Sequence, residues 1–222
     1  MQRLRLRFNR GEEVKFLSHL DLIRLWERAL RRAEVPLAYS EGFTPHPRLC
    51  LAAPLPIGVT SEAELMDVWL TRWLAPDSFS TLVKRQLPAG INISDVWIIG
   101  LNVPSLQSQV RLAEYRVEME SERTRQEIEQ TISSLLSAKE LPWHHQRDAE
   151  TRYYDLRTLI DDLWLISYQD SQCVLGMRLR CDSQGSGRPE QVTVALGFQQ
   201  HPKTIHRTKL ILGIERSTSN ST

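Results

Sequence analysis

Along the first ten residues, apolar and basic side chains alternate. Leu4, Leu6 and Phe8 stand between Arg3, Arg5 and Arg7. A period of two predicts a half-buried strand with one basic face. The period then changes: Leu22, Trp26, Ala29 and Ala33 recur at helical spacing, and Ile23 and Leu30 widen the stripe. Ser18 and Asp21 are spaced to cap this helix, and Pro36 stops it. A buried strand is expected at 49–55, another strand at 65–70, a helix at 76–87 capped by Asp77 or Ser78, and a strand at 91–101. Residues 103–110 (VPSLQSQV) are uncharged and polar and read as a linker. A second series follows, with a strand at 113–119, a helix at 122–138, a strand or hairpin at 143–155, an apolar stretch at 156–165 and a strand at 173–181. A short helix lies between Pro189 and Gly197, and a last strand at 205–212. The pattern predicts the α+β class: two tandem ferredoxin-like (βαββαβ) domains, residues 1–102 and 111–214, with a disordered tail at 215–222.

The stretch 42–67 (GFTPHPRLCLAAPLPIGVTSEAELMD) stands apart. Pro45, Pro47, Pro54 and Pro56 remove backbone donors and fix φ on both sides of its strand. The chain therefore enters and leaves that strand through rigid connections. Such connections either shape a difficult turn or carry a site, and His46, Arg48, Glu62 and Glu64 lie on them.

Bulk composition narrows the function classes. At 222 residues, 41% hydrophobic and 25% charged, the chain can bury a real core, and a net charge of +1 provides no global field. Basic residues gather at the ends. Residues 1–50 hold ten Lys/Arg against six Asp/Glu, and residues 176–222 hold seven against three. Cys50, Cys173 and Cys181 are too widely spaced for a disulfide framework, a zinc pair or an iron–sulfur nest. No cofactor and no metal are therefore expected, and cytoplasmic localisation without a membrane span is.

Candidate chemistry concentrates in the first half. His19 and His46 form a candidate acid–base pair, with Arg48 to stabilise a developing negative charge. His19, His46, Arg48 and Glu64 are expected to converge on one pocket beside the 49–55 strand. Equally, one histidine caps a helix and the other shapes a turn. Arg24, Arg28 and Arg31, joined by Arg3, Arg5 and Arg7, would make a phosphate-binding face; the alternative is a solvated face laced with Asp21–Arg24 and Glu27–Arg31 pairs. The 185–188 loop can meet a phosphate through backbone donors, although it has neither a GxGxxG nor a P-loop pattern.

Four stretches carry a family likeness: KFLSHLDLIRLWERALRRAEVPLAYSEGFTPHPRL, LPIGVTSEAELMDV, TRYYDLRTLI and GSGRPEQVTVALG. With them the chain resembles the bacterial radical-SAM-associated family of unknown function, whose members stand beside a B12-binding radical SAM protein or are fused to its C-terminus. The resemblance implies a partner, that radical SAM protein, and points to RNA. The expected function is an accessory protein, not itself catalytic, that presents a substrate such as RNA to the partner. The alternative is an RNA-cleaving or other hydrolytic enzyme using His19 and His46.

Overall fold

The structure is a computed structural model describing residues 1–147 and 150–213, with backbone only at 145–147, 150 and 152. The alternating first run is β1 (Gln2–Arg10). Helix α1 (His19–Arg32) follows, and the Ser18 hydroxyl at its N-cap accepts a hydrogen bond from the Asp21 backbone N–H at 3.2 Å. Strand β2 is shorter than its apolar run, only Leu49–Leu51, since Pro54 and Pro56 cannot extend a ladder. Strand β3 (Thr60–Leu70), helix α2 (Pro76–Lys84) and strand β4 (Ile93–Ile99) complete the first half. The α2 helix starts one residue before its expected caps. Pro76 opens it with the pre-set φ of a first helical residue, and neither Asp77 nor Ser78 is its N-cap.

The second half comprises α3 (Leu106–Gln109), β5 (Val110–Glu120), α4 (Arg125–Ser137), β6 (Pro142–Arg147), β7 (Glu150–Asp155), β8 (Ile160–Gln169), β9 (Gln172–Asp182), β10 (Gly185–Ser186), α5 (Pro189–Ala195) and β11 (Thr204–Leu212). A reciprocal cap holds α4: Thr124 Oγ1 accepts from Glu127 N–H, and Glu127 Oε2 accepts from Thr124 N–H at 2.7 Å. Strands β6 and β7 form a separate hairpin. The expected disordered tail lies outside the described residues, apart from which the chain is a mixed α+β fold dominated by one large sheet.

That sheet runs β10-β9-β5-β11-β3-β1-β4, with β2 on β3 and β8 on β9. In the first half, β4-β1-β3-β2 are antiparallel neighbours; in the second, β11-β5-β9-β8 are. The halves join where β11 runs parallel to β3, His206 opposite Thr60 and Arg207 opposite Ser61. Consecutive residues of β3 face opposite ways. Met66 belongs to the core under α1 and α2, with Leu4, Leu6, Phe8, Trp26 and Phe79. Leu65 belongs to the other core, with Val117, Ile128, Leu175 and Val192. Two cores thus lie on opposite faces of one sheet. Ala52, Ala53, Leu55 and Val59, from the first half, pack into the second core.

Two expectations change here. The first-strand arginines do not form a basic outer face. Arg3 and Arg5 are 2% and 3% exposed, and both close on the fully buried Asp67 of β3. Asp67 Oδ2 accepts from Arg3 Nε at 2.9 Å and Oδ1 from Arg5 Nε at 2.7 Å. Arg3 Nη2 and Arg5 Nη2 also donate to Asp67 Oδ2, and other donors of the pair reach the Val103 and Pro104 carbonyls and the Gln109 side chain. Only Arg7 stays outside, 3.6 Å from Asp95. For the same reason the 103–110 segment is not an open tether. It lies over the buried arginines, and Leu106 is fully buried. Alternation showed that the arginines share a face but not that an aspartate and a loop would cover it.

Candidate functional site: a cleft between the halves

The expected pocket does not assemble. His19 opens α1 next to the end of β1, where Arg10 donates to Leu17 O and Gly58 N–H donates to Lys15 O. His46 sits at the opposite end of the sheet. Its carbonyl accepts from Ser40 N–H, its neighbour Pro47 bridges to Tyr39, and Arg48 reaches the Met1 sulfur at the start of β1. The length of α1, about 21 Å at 1.5 Å per residue, separates the two ends. No proton passes between His19 and His46 directly or through one water. His46 and Arg48 are both exposed, and the Arg48 guanidinium lies 5.3 Å from the centre of the Trp69 ring. Arg24, Arg28 and Arg31 are exposed on α1; Arg24 is 3.6 Å from Asp21, and Arg31 is 3.3 Å from Glu27.

Glu64 belongs elsewhere. It is 2% exposed and pairs with Arg207, which is fully buried, across the β3–β11 seam. Arg207 Nε is 3.1 Å from Glu64 Oε1, off the hydrogen-bond line; Arg207 Nη2 donates to Glu64 Oε2 at 3.5 Å and to Pro54 O at 3.2 Å. Arg10 is a second buried cation near this carboxylate, and it also holds the Leu55 carbonyl at 3.2 Å. The rigid 52–56 loop is therefore tied down from beneath by two arginines.

Above that seam opens a cleft of about 1350 Å³. Residues 52–56 make an apolar wall, the α3 segment and Arg111 a second side, and residues 181–191 the third. Tyr115 of β5 and Cys181 of β9 lie among its lining residues and are both largely buried. Arg111 and Arg188, both exposed, put two guanidinium groups at the mouth. Glu190 lines this cleft and also a smaller neighbouring cavity of about 210 Å³, and its Oε2 is buried with no hydrogen-bond partner among the described residues.

Burial pushes the Tyr115 hydroxyl up to about 12, with Arg207 pulling the other way. It is a neutral hydrogen-bond donor at physiological pH. Burial likewise raises the Cys181 thiol, which makes it a poor nucleophile. The tyrosine has a stability consequence. In the unfolded chain it ionises near its usual 10, in the fold near 12. Between those values the unfolded chain has released a proton that the fold retains, so stability falls as pH rises through this window. Denaturation measured from pH 9 to 12 is expected to show this loss, and Tyr115→Phe is expected to remove that component.

Sequence reasoning missed Tyr115, Arg111, Glu190 and Arg207. Tyr115 and Arg207 read as strand positions, and nothing local marks a core-facing arginine. The 185–188 loop was the one available signal, and it does border the cleft. Among the described residues, no group of three or more His, Cys, Asp or Glu is arranged to hold a metal, and no helix is long and apolar enough to cross a membrane.

Comparison with known proteins bears on the fold and the family. No curated protein sequence matches the chain. Among solved structures, it is similar to a chain of a Cbf5-Nop10-Gar1 complex, with TM-score 0.52 and 7% identity over 93% of this chain and 48% of that one. It is also similar to a chain of an archaeal box H/ACA sRNP Nop10-Cbf5 complex (TM-score 0.48, 9% identity, 94% and 48% covered). A third is a chain of an H/ACA RNP bound to a substrate RNA containing 2'-deoxyuridine (TM-score 0.49, 8% identity, 93% and 47% covered). The chain spans about half the length of each of these. A family model described as "Uncharacterized protein conserved in bacteria (DUF2344)" matches residues 3–189, and the chain belongs to that family.

Proposed function

We propose that this protein is a non-catalytic accessory subunit that holds single-stranded RNA in the cleft between its halves and presents it to a B12-binding radical SAM enzyme. The observation that carries this reading is the cleft itself. Its volume exceeds the roughly 300–1,000 Å³ of a small-molecule site, it has an apolar wall, and two arginines stand at its mouth. Two of the stretches that carry the family likeness, those beginning LPIG and GSGRPEQ, both contribute lining residues. On this reading each half is a ferredoxin-like unit, residues 1–102 and 111–214, the two merged edge to edge through β3 and β11. On this reading the exposed arginines of α1 form a second phosphate-binding surface, on the other face of the sheet from the cleft. A hydrolytic role for His19 and His46 would need the two histidines to meet, and they stand at opposite ends of α1.

The test is fluorescence anisotropy of a labelled single-stranded RNA against the purified protein over a salt series. Binding is expected to weaken with salt. Arg111→Glu with Arg188→Glu is expected to flatten the slope by about 0.7 log unit per lost phosphate contact. No binding, or an unchanged slope in the double variant, would overturn the cleft as the RNA site. Copurification from native lysate, read for iron–sulfur protein and RNA together, tests the partner.

A further inference from the structure

Two consecutive carbonyls of the proline-rich wall turn away from the cleft. Arg207 Nη2 donates to Pro54 O at 3.2 Å, and Arg10 Nη1 donates to Leu55 O at 3.2 Å. Arg207 has no exposed surface and Arg10 is 1% exposed, so both carbonyls point into the protein. In a trans peptide the C=O and N–H point in opposite directions, and among the described residues no peptide is cis. The Leu55 N–H shares its peptide with the Pro54 carbonyl. It therefore points outward, on the side where Pro54 is exposed and where both residues line the cleft. The next peptide adds no donor, because Pro56 has no N–H. The Leu55 N–H makes no hydrogen bond among the described residues. A backbone donor without a partner in the protein is uncommon in a fold and takes its acceptor from outside.

The same arginines leave positive charge behind that donor. Arg10 and Arg207 have one carboxylate between them, Glu64, so this part of the seam holds two cations against one anion. Arg207 Nη1 has no hydrogen-bond partner among the described residues, so no second acid balances it. A charge closed off from water in this way is weakly screened. Through the Pro54 carbonyl it polarises the Pro54–Leu55 peptide, which makes the N–H a stronger donor. The cleft's own charges add to this. Arg111 and Arg188 outnumber Glu190, and Asp182 is taken by Arg180 at 2.8 Å.

Resting on the RNA reading above, we propose that the 54–56 wall is an anion hole, in which the Leu55 N–H donates to a phosphate oxygen of the bound strand. Arg207 and Arg10 act on that oxygen from behind the wall without touching it. They are positioning residues: they hold the peptide with its N–H outward and supply the field. The bound phosphate is the counter-charge that the seam lacks. Backbone N–H groups are regular phosphate ligands in nucleic-acid complexes. The prolines suit this role. Pro54 and Pro56 fix φ on either side of Leu55, so the donor cannot swing away to another acceptor.

The experiment removes the N–H alone. Replacing Leu55 by its α-hydroxy analogue turns the Pro54–Leu55 amide into an ester, which keeps the side chain and deletes the donor. Binding of single-stranded RNA is followed by anisotropy over a salt series in the natural and the ester protein. The ester protein is expected to bind about ten-fold more weakly, the scale of one charge-assisted hydrogen bond. Its salt slope is expected to be unchanged, because no cation is lost. Arg207→Met, with its fold checked by a urea midpoint, is expected to weaken binding in the same direction, and the ester carries the test where that variant does not fold. Inorganic phosphate is expected to raise the melting temperature of the natural protein more than that of the ester protein, against sodium chloride at matched ionic strength. Oligomers with 5′-hydroxyl and 5′-phosphate ends show which phosphate is held. Weakening by the ester in both assigns an internal phosphate, and in the phosphorylated oligomer alone the end of the strand. Equal RNA affinity and equal phosphate response in the two proteins would overturn the anion hole and leave the cleft reading standing. A phosphate response that the ester abolishes, with no RNA bound, would overturn the RNA reading and leave the anion hole. Neither phosphate nor RNA bound would overturn both.

Discussion

Asp67→Ala is expected to cost about 3–5 kcal/mol, the penalty for breaking a buried ion pair by removing one partner. Asp67 has no exposed surface, and it is the carboxylate that both Arg3 and Arg5 close on. Removing it leaves two buried guanidinium groups side by side. Their remaining acceptors are the neutral carbonyls of 103 and 104 and the amide of Gln109, which satisfy hydrogen bonds but not charge. A domain holds only about 5–15 kcal/mol in all, so much of its stability is at stake. Urea denaturation of the variant measures the loss, and a cost below about 1 kcal/mol would mean that the cluster is far wetter than its burial indicates. A control separates charge from packing. Replacing all three residues by apolar side chains of similar volume is expected to be close to neutral, because no buried charge is then left unpaired.

Glu64→Ala is expected to be as damaging, again about 3–5 kcal/mol, for a related reason. Its carboxylate faces Arg207 directly and lies near Arg10, and both cations are buried. Without it the seam between the halves holds two positive charges with no counter-charge. His46→Ala and Arg48→Ala are expected to stay within about 1 kcal/mol, since both side chains are exposed and Arg48 gives up only its contacts with the Trp69 ring and the Met1 sulfur. Thermal melts of the three variants side by side provide the check. Full tolerance of Glu64→Ala would refute the buried seam, and a large loss in His46→Ala would give the proline-rich loop a structural weight that its exposure does not predict. Because Glu64 and Arg207 support the cleft from beneath, Glu64→Ala is also expected to weaken RNA binding in proportion to the unfolding it causes.

Local chemistry made much of the molecule legible in advance. The alternation in β1, the Ser18 cap and Leu22–Trp26–Ala29 stripe of α1, the Pro189 and Gly197 brackets of α5 and the last strand all depend on neighbours in sequence, and they stand where the pattern put them. Gly197 takes φ +82 at the end of its helix, as a left-handed stop requires. The Thr124–Glu127 box was present in the letters too, and it sharpened the start of α4.

The site was another matter. His19, His46, Arg48 and Glu64 were grouped by closeness in sequence and by residue type, but α1 and the sheet carry the two histidines apart and turn Glu64 inward. Periodicity shows which residues share a face and not what covers that face. The arginines of β1 could as well have met solvent as Asp67. The cleft needs Pro54 from the first half, Tyr115 and Glu190 from the second, and Arg207 beneath them, residues up to 153 positions apart in the pair Arg207–Pro54. What the sequence by itself determined is most of the elements and their apolar faces, α3 and β8 excepted, because capping, proline and periodicity act over a few residues. What only the tertiary structure decided is the joining of β11 to β3 and, with it, the burial of Arg207 and the opening of the cleft, because both depend on which strand edges pair across the whole chain.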